Sequence, residues 1–305
     1  MNSIKLVRKA IIPVAGLGTR MLPATKAIPK ELLPISDKPI IEYVVKEAIA
    51  AGINEIIFVT RSGKEAIENH FDTHYELEHR LVQKGSFKIL EEVKEIIPNY
   101  VKINTVRQLD ALGLGHAILC AKHLINGEPF AVLLPDVFVL EKKFRTKNFS
   151  LGQLVSFWNN TGIGQVMVEK VDFDKIKKYG IIDTGEKNIT PFRSIPLRGL
   201  IEKPDPQNAP SNLAILGRYI LPPQLLDLIE NINPGVGNEI QLTDALSKLL
   251  EIEGLNAVIT DADIYDCGDK LGYLSANLAV GFRDPKIKAD IYGLFNKLID
   301  DDFPC

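Results

Sequence analysis

The chain has 305 residues, of which 46% are hydrophobic and 25% are charged, a composition typical of globular proteins. Its formal net charge of −3 excludes the basic surface of a general nucleic-acid or acidic-membrane binder. The sequence has no membrane-length apolar run and no apolar signal segment, and its three cysteines share no short spacing. We therefore predict a cytoplasmic protein without a disulfide framework or a zinc site.

Apolar runs typical of strands alternate with helical patterns through the first half of the chain. This alternation predicts an α/β fold, in which helices cover both faces of a parallel sheet. The predicted strands are at 10–14, 55–60, 102–108 and 130–134, and the predicted helices run from Pro39 to a stop at Gly52 and over 65–71, 75–97 and 115–124.

The second half is more mixed. We predict strands at 166–171, 180–183, 199–202, 214–221 and 257–260, the last continuing towards Tyr265, and helices at 153–159, 223–232, 240–251 and from Lys270 onwards. From Lys286 the apolar residues recur at helical spacing, and this face could pack on its own core or on a second subunit. We predict a catalytic domain over 1–282 and a helical tail over 283–305.

The stretch 14–30, VAGLGTRMLPATKAIPK, follows the first predicted strand and is rich in glycine. Glycines let backbone N–H groups approach an anion, and Arg20 and Lys30 offset its charge, so the stretch predicts a phosphate site. It lacks the Gly-Lys-Ser/Thr ending of a P-loop. It also lacks a dinucleotide fingerprint, because Met21 stands where the third glycine belongs and Pro23 opposes an immediate helix.

Two aspartates follow predicted strands. Asp136 comes directly after the apolar run at 131–135, and Asp266 comes before Cys267-Gly268 and a predicted helix. Each alone would fit a cap of the following helix or turn. Beside a phosphate loop, the two carboxylates favour a divalent ion, and Mg²⁺ suits few carboxylates together with phosphate oxygens.

Two further strands end in polar residues. Glu202-Lys203 stands at the tip of the strand at 199–202 and precedes a proline, a pattern that is usually a solvated turn but that also suits a sugar and its phosphate. Gln108 ends the strand at 102–108, and its amide matches the edge of a pyrimidine. His116 begins a helix and has no evident carboxylate partner, so we assign it no catalytic role.

Nucleophile motifs are absent. The sequence has no Gly-x-Ser-x-Gly and no cysteine with an assigned histidine partner. The remaining histidine cluster lacks the glutamate of a metalloprotease motif, and we predict that its members lie at the surface: His70, His74 and His79. Phosphoryl chemistry can proceed without a protein nucleophile, by positioning and charge alone.

Together these segments resemble the bacterial UTP–glucose-1-phosphate uridylyltransferases, a branch of the sugar nucleotidyltransferases. The resemblance runs from about Lys9 to Phe282, and its marks are GLGTR at 16–20 with Pro29-Lys30, ENHFDT at 68–73, GLGHA at 113–117, LPD at 134–136, EKP at 202–204, EIQLTD at 239–244 and DCG at 266–268. It implies a Rossmann-like three-layer fold with a mixed, mostly parallel sheet. It also implies transfer of uridylyl from UTP to glucose 1-phosphate with Mg²⁺, and assembly as homodimers or homotetramers.

By this resemblance, each candidate residue takes a role. The nucleotide would be held by Ala15, Gly16, Leu17, Gly18, Thr19, Gln108, Gly113 and Gly115. The catalytic cations would be Arg20, Lys30 and Lys203, of which Lys203 would hold the sugar phosphate. The metal would be held by Asp136 and Asp266, and the sugar would be lined by Gly180, Glu202 and Gly217.

One departure from the family pattern lies next to the expected base site. Family members commonly carry glycine directly after the residue that matches Gln108, whereas this chain has Leu109-Asp110. Two alternatives stay open: a thymidylyltransferase that uses dTTP, and a paralogue that binds sugar nucleotides without turnover. The intact cations and carboxylates count against the second, and the missing third glycine counts against a dehydrogenase.

Overall fold

The computed structural model describes residues 4–142, 150–186 and 190–300, with side chains except at 236, 299 and 300. Within these residues the strands are β1 (Lys9–Pro13), β2 (Pro34–Ile35), β3 (Lys38–Pro39), β4 (Glu55–Thr60), β5 (Lys102–Arg107), β6 (Phe130–Leu133), β7 (Val137–Leu140), β8 (Gly164–Lys170), β9 (Gly180–Asp183), β10 (Ser194–Pro196), β11 (Gly199–Glu202), β12 (Leu213–Leu221), β13 (Leu255–Ile259) and β14 (Asp263–Asp266).

The described helices are α1 (Ile40–Ala50), α2 (Glu65–Phe71), α3 (Tyr75–Gln83), α4 (Phe87–Lys94), α5 (Gly113–Cys120), α6 (Lys122–Ile125), α7 (Ser150–Thr161), α8 (Gln224–Glu230), α9 (Leu242–Ile252), α10 (Lys270–Gly281) and α11 (Lys288–Asp300). Short 3₁₀ turns fill the loop after β1, at Thr19–Met21, Ala24–Lys26 and Lys30–Leu32. None of the described helices is long and apolar enough to cross a membrane.

A ten-stranded mixed sheet forms the centre of the described fold. Its main path has the order β10-β13-β8-β12-β6-β1-β4-β5, with β9 and β11 attached beside β12. The strands β6, β1, β4 and β5 are all parallel, and β8 pairs parallel with β13. β12 runs antiparallel to both β6 and β8, so the mixed sheet implied by the resemblance is confirmed.

Helices cover both faces of this sheet and give the three-layer architecture. One core packs α1 and α7 against the sheet, through side chains such as Val44, Leu151 and Trp158. The other packs α5, α8 and α9 against the opposite face, through Ile118 and Leu246 among others. The interior strands are buried on both faces, because apolar side chains on either side meet a helical layer.

Most predicted elements are confirmed within a few residues, with three divisions. The predicted helix at 115–124 is two helices, α5 and the short α6, with Ala121 between them. The predicted helix at 75–97 is two helices, α3 and α4, with Gly85 between them. The predicted strand from 257 towards Tyr265 is also two elements: β13 belongs to the central sheet, whereas β14 pairs with β7 in a separate two-stranded sheet. Alternating apolar residues could not reveal this change of partner.

Candidate active site

Three of the predicted functional segments follow parallel strands and therefore meet at one edge of the sheet. The glycine-rich loop follows β1, Gln108 follows β5, and Asp136 follows β6 by three residues. Because β1, β4, β5 and β6 are parallel, their carboxyl ends lie at the same edge. Ligands of open α/β sheets bind at this edge, so the topology brings the three segments to one cleft.

The glycine-rich loop folds over the stem of Lys30. A Cβ at Gly16 would lie 3.6 Å from Lys30 Cε, and a Cβ at Gly18 would lie 3.3 Å from Lys30 Cβ. Thr25 Oγ1 donates a 2.7 Å hydrogen bond to the carbonyl of Gly18 and fixes the far side of the loop. Leu17, at the tip, is 63% exposed. The loop and the Lys30 ammonium thus belong to one structural unit.

The cations of this loop face both predicted metal ligands. Lys30 Nζ donates a 2.6 Å hydrogen bond to Asp136 Oδ2. Arg20 lies at the mouth, with Nη1 3.5 Å from Asp266 Oδ2 and Nη2 3.8 Å from Asp136 Oδ2. Arg20 is 58% exposed at its side chain, whereas Lys30 is 17% exposed. The four charged residues therefore form one cluster, which the sequence alone predicts only as separate segments.

Burial and charge act in opposite directions on these groups. Burial favours the neutral form of Lys30, but the Asp136 carboxylate outweighs it and raises the pKa of the ammonium. Burial would likewise raise the pKa of Asp136, yet the Lys30 ammonium lowers it below the usual value. Asp266 differs, because burial and the charge of Asp136 raise its pKa. An added cation would therefore stabilise the ionised form of Asp266 more than that of Asp136.

Gly268 leaves room for this cluster. A Cβ at this position would lie 2.5 Å from Arg20 Nη2, 2.9 Å from Asp266 Oδ1 and 3.0 Å from Asp136 Oδ2. Both carboxylates and the guanidinium thus converge on the face of a residue that has no side chain. The Gly268 N–H donates to Asp266 Oδ1 at 2.9 Å, and the Cys267 N–H donates to the carbonyl of Asp136 at 2.8 Å. These bonds tie β14 to the loop after β6.

The donor set suits Mg²⁺ bound jointly with a phosphate. No group of three or more His, Cys, Asp or Glu residues in the described part of the chain could hold a metal ion by itself. Mg²⁺ characteristically takes one or two carboxylates and completes its octahedron with water and substrate phosphates. Two converging carboxylates beside a phosphate loop fit that pattern, and they do not fit a protein-only metal cage.

At the predicted base site, Gln108 and Gly113 are in direct contact. Gln108 Nε2 donates to the Gly113 carbonyl at 3.2 Å, and Gln108 is 8% exposed. Gly113 begins α5 with φ +92, and a Cβ there would lie 2.9 Å from the Ile240 carbonyl, so no other residue fits without strain. Gly115 approaches the same carbonyl, to which its N–H donates at 2.8 Å. Leu109, the departure from the family pattern, is 88% exposed.

The predicted sugar site is assembled on β9, β11 and the start of α9. Glu202 Oε2 accepts a 2.6 Å hydrogen bond from Thr243 Oγ1 and lies 3.2 Å from where a Cβ of Gly180 would be. Lys203 Nζ lies 3.1 Å from Glu202 Oε1 and is 54% exposed at its side chain. Lys203 also has φ +45, an uncommon value for a residue with a side chain and one that often marks functional positions.

Thr243 and Ile240 belong to the EIQLTD segment, which sequence reasoning gave no role. Its backbone docks on Gly113 and Gly115, and its threonine holds Glu202. The segment therefore connects the base and sugar sides of the cleft. Its appearance among the marks of the family was the only signal of its importance.

Arg218 is a second residue that sequence reasoning missed. Its guanidinium is fully buried, makes a bidentate pair with Glu47 at 2.8–3.1 Å, and donates to the carbonyls of Leu134 and Val137. Those two carbonyls flank Asp136, so this arginine fixes the loop that carries a predicted metal ligand. It adjoins Gly217, whose φ is +64 and whose absent Cβ would lie 2.8 Å from Leu134 Cβ.

The predicted surface histidines divide into two groups. His74 and His79 are exposed, as predicted. His70 is not a free surface residue: its side chain is 21% exposed, and its Nε2 lies 3.2 Å from Glu42 Oε2. The residue is one of a pair between α2 and α1, a long-range contact that local spacing does not indicate.

Comparison with known proteins agrees with this geometry. The family model described as nucleotidyl transferase matches residues 9–281. The chain therefore belongs to the nucleotidyl transferase family, as its glycine-rich loop, converging carboxylates and mixed sheet indicate.

Uridylyltransferases and UDP-glucose pyrophosphorylases are among the similar proteins of that family. A UTP–glucose-1-phosphate uridylyltransferase of Haemophilus influenzae is 47% identical over 290 residues, which cover 95% of this chain and 98% of that protein. The solved structure of a UTP-bound UGPase from Acinetobacter baumannii is 44% identical with a TM-score of 0.87, covering 98% of this chain and 100% of that one. A UDP-glucose pyrophosphorylase complexed with UDP-glucose is 37% identical, with a TM-score of 0.79 and coverage of 92% and 100%.

Proposed function

We propose that this protein transfers a uridylyl group from UTP to glucose 1-phosphate and releases UDP-glucose and pyrophosphate. The observation that carries the proposal is the cluster of Arg20, Lys30, Asp136 and Asp266 around the glycine-rich loop. The relatives add the substrates, because they are named for this reaction and one solved relative is bound to UTP and another to UDP-glucose.

The reaction needs no protein nucleophile. An oxygen of the sugar phosphate attacks the α-phosphorus of UTP, and a new P–O bond forms as the bond to the bridging oxygen of pyrophosphate breaks. A phosphate monoester is largely ionised at neutral pH, so the attacking oxygen has no proton to lose. The chain's task is to align the two phosphates and to offset the charge that develops between them.

Arg20 and Lys30 offset that charge on the nucleotide side. The raised pKa of Lys30 keeps its ammonium protonated, and its three N–H donors allow it to hold Asp136 and a phosphate oxygen together. Arg20 is exposed at the mouth of the cleft and is free to turn towards the departing pyrophosphate. The backbone N–H groups of residues 15–19 cradle the nucleotide.

Asp136 and Asp266 are the residues that would hold Mg²⁺. Bound there, Mg²⁺ would offset the negative charge of the phosphates. The raised pKa of Asp266 supports this assignment, because a carboxylate that is buried beside another negative charge is stabilised by a cation.

The second substrate belongs to the β11 side of the cleft. Lys203 binds the phosphate of glucose 1-phosphate, and Glu202, oriented by Thr243, accepts hydrogen bonds from sugar hydroxyls. We expect Gly180 and Gly217 to line the sugar ring. On the nucleotide side, Gln108 and Gly113 face uracil, and Gly115 fixes the loop beneath them.

A substrate panel tests the proposal. UTP, dTTP, CTP and ATP are each combined with glucose 1-phosphate and Mg²⁺, and pyrophosphate release is measured. We expect the highest kcat/KM with UTP, because dTTP differs from it both by a 5-methyl group, which is worth about 10- to 200-fold in a pocket, and by the missing 2′-hydroxyl. A preference for dTTP would instead identify a thymidylyltransferase. Ligand-induced stabilisation without pyrophosphate release would identify a binding paralogue.

We further propose that the chain acts in the cytoplasm as a homodimer or homotetramer, with residues 283–305 as a tail at the subunit contact. Cys120 and Cys267 are free thiols, which fits a reducing compartment. One side of α11 packs on α10, since a Cβ at Gly281 would lie 2.6 Å from Ile291 Cδ1. Its other apolar side chains are exposed: Tyr292, Leu294 and Leu298. Sedimentation of the full chain and of a chain ending at 282 tests this assignment.

A further inference from the structure

The amide of Gln108 is held by two acceptors. Its Nε2 donates to the Gly113 carbonyl at 3.2 Å and lies 3.1 Å from His116 Nδ1. The two partners are on the first turns of α5, the helix that follows the Gln108 loop. The mechanism proposed above uses Gln108 and Gly113 but gives His116 no task.

The chemistry of these partners fixes the orientation of the amide. A backbone carbonyl only accepts hydrogen bonds, so the NH₂ group of Gln108 and not its oxygen must face Gly113. The second N–H of the same group is then directed at His116 Nδ1. That ring nitrogen must accept, so a neutral His116 carries its proton on Nε2.

The other side of the ring is compatible with this tautomer. His116 Nε2 lies 4.0 Å from Cys120 Sγ, one helical turn further along α5. Burial raises the pKa of the Cys120 thiol, so its sulfur stays neutral and can weakly accept the Nε2 proton. No acidic side chain is hydrogen-bonded or ion-paired to His116 in the described part of the chain.

With both N–H groups in use, Gln108 presents only its oxygen to a ligand. Gln108 Oε1 accepts no hydrogen bond from the described residues. It is also not among the fully buried side-chain atoms without a partner in the described residues, Glu31 Oε1 and Asn159 Oδ1, so it is accessible from outside the protein. The amide is thus a fixed acceptor and not an adaptable donor–acceptor pair.

We infer that His116 is a positioning residue that makes Gln108 selective for pyrimidines whose N3 carries a hydrogen. Uracil and thymine donate from N3, whereas the N3 of cytosine is an acceptor and would face the Gln108 oxygen without a proton between them. An unpaired acceptor at a desolvated contact is costly, so the orientation of one amide excludes cytidine nucleotides. The inference rests on the proposed function, because it concerns the base of that nucleotide.

Two substitutions separate the acceptor from the bulk of the ring. His116→Leu replaces the ring with an apolar side chain of comparable size and so removes the acceptor. His116→Asn retains it, because Asn Oδ1 is the same number of bonds from the backbone as His Nδ1. For each variant kcat/KM is measured with UTP, dTTP and CTP by pyrophosphate release. Where CTP turns over too slowly, its inhibition constant against UTP replaces kcat/KM, and a thermal melt checks folding.

We expect His116→Leu to lower the UTP-to-CTP ratio by about 3- to 10-fold, the value of one net hydrogen bond. The UTP-to-dTTP ratio should not change, and His116→Asn should retain the wild-type UTP-to-CTP ratio. Because all three nucleotides share the triphosphate, a general structural defect would lower their rates together. Equal losses for UTP and CTP, or equal effects of the Leu and Asn variants, would overturn the inference.

The tautomer supplies a measurement on the wild-type protein itself. In a ¹⁵N-labelled wild-type protein at neutral pH, the ring of His116, assigned by comparison with His116→Asn, should show a protonated Nε2 and an unprotonated Nδ1. A proton on Nδ1 would contradict the inference. If the wild-type protein makes no UDP-glucose from UTP, the proposed function fails, whereas this tautomer measurement still tests the orientation of Gln108.

Discussion

Gly268→Ala offers a sharp test of the charged cluster, because it adds a single methyl group where three charged side chains meet. The new Cβ would lie 2.5 Å from Arg20 Nη2, 2.9 Å from Asp266 Oδ1 and 3.0 Å from Asp136 Oδ2. Arg20 is exposed and can swing away, but Asp136 is held by Lys30 at 2.6 Å and Asp266 is largely enclosed. The carboxylates therefore have to separate for the methyl group to fit.

Small displacements of catalytic groups lower the reaction rate strongly. A misplacement of about 1 Å can cost on the order of 10²-fold in rate, so we expect kcat/KM for UDP-glucose synthesis to fall by about 10- to 100-fold. Raising the Mg²⁺ concentration should restore only part of the lost rate, because the substitution changes the geometry of the two carboxylates as well as their affinity for the metal. Pyrophosphate release over a range of Mg²⁺ concentrations measures both.

The matched control is Gly152→Ala, which adds the same methyl group in helix α7, where no described atom beyond the adjacent helix backbone and chain neighbours lies within 4 Å. It should keep full activity and raise the free energy of unfolding by about 0.5–1 kcal/mol, because alanine is the better helix former. A thermal melt identifies any loss of fold in Gly268→Ala. A folded Gly268→Ala enzyme as active as the control would refute the convergence of both carboxylates on the reacting phosphates.

Three further predictions concern the two substrates and the framework behind them. Lys203→Ala should raise KM for glucose 1-phosphate by 10-fold or more, on the order of one charge-assisted hydrogen bond, with little change in KM for UTP. The control Lys177→Ala removes another exposed lysine and should change neither KM. Equal losses for both substrates would contradict the role of Lys203. Asp136→Asn should abolish metal-dependent turnover and leave the thermal melt cooperative, and near-normal rates would remove Asp136 from the metal site. Glu47→Ala should lower the free energy of unfolding by about 3–5 kcal/mol, measured in urea, because it leaves the buried Arg218 guanidinium unpaired.

The order of strands and helices could be predicted from the sequence because its signal is local. Alternating apolar runs and helical periodicity give most element types between β1 and α11 with shifts of a few residues, but they miss four short strands: β2, β3, β7 and β10. The partners of the strands are a non-local property. The stretch from 257 to Tyr265 reads as one strand continued past Thr260, yet β13 joins the central sheet and β14 turns away to pair with β7.

The candidate site divides in the same way. Residues that follow strands, such as Lys30 and Asp136, could be singled out because the edge of a parallel sheet collects whatever follows each strand. That Lys30 donates to Asp136 over 106 positions of sequence could not be deduced, since it depends on how the loop folds. Nor could the task of Arg218, because a buried arginine is identified by its partners and not by its neighbours in sequence.

The glycines illustrate a further limit. Gly113 and Gly115 were predicted to face a base, and that role stays a prediction. Their observed close neighbour is the backbone at Ile240, which a Cβ at either position would contact at 2.8–2.9 Å. A glycine in sequence indicates that something comes near, but it does not indicate whether that is a ligand or another loop.

The central claim is that the uridylyl group of UTP passes to glucose 1-phosphate in one step. The most direct measurement supplies UTP labelled at the α-phosphorus, unlabelled glucose 1-phosphate and Mg²⁺ to the purified chain, and follows the label. We predict that all transferred label appears in UDP-glucose, with one unlabelled pyrophosphate released for each molecule formed and no labelled protein. If no label leaves UTP, or if label is bound covalently to the chain, the account is contradicted.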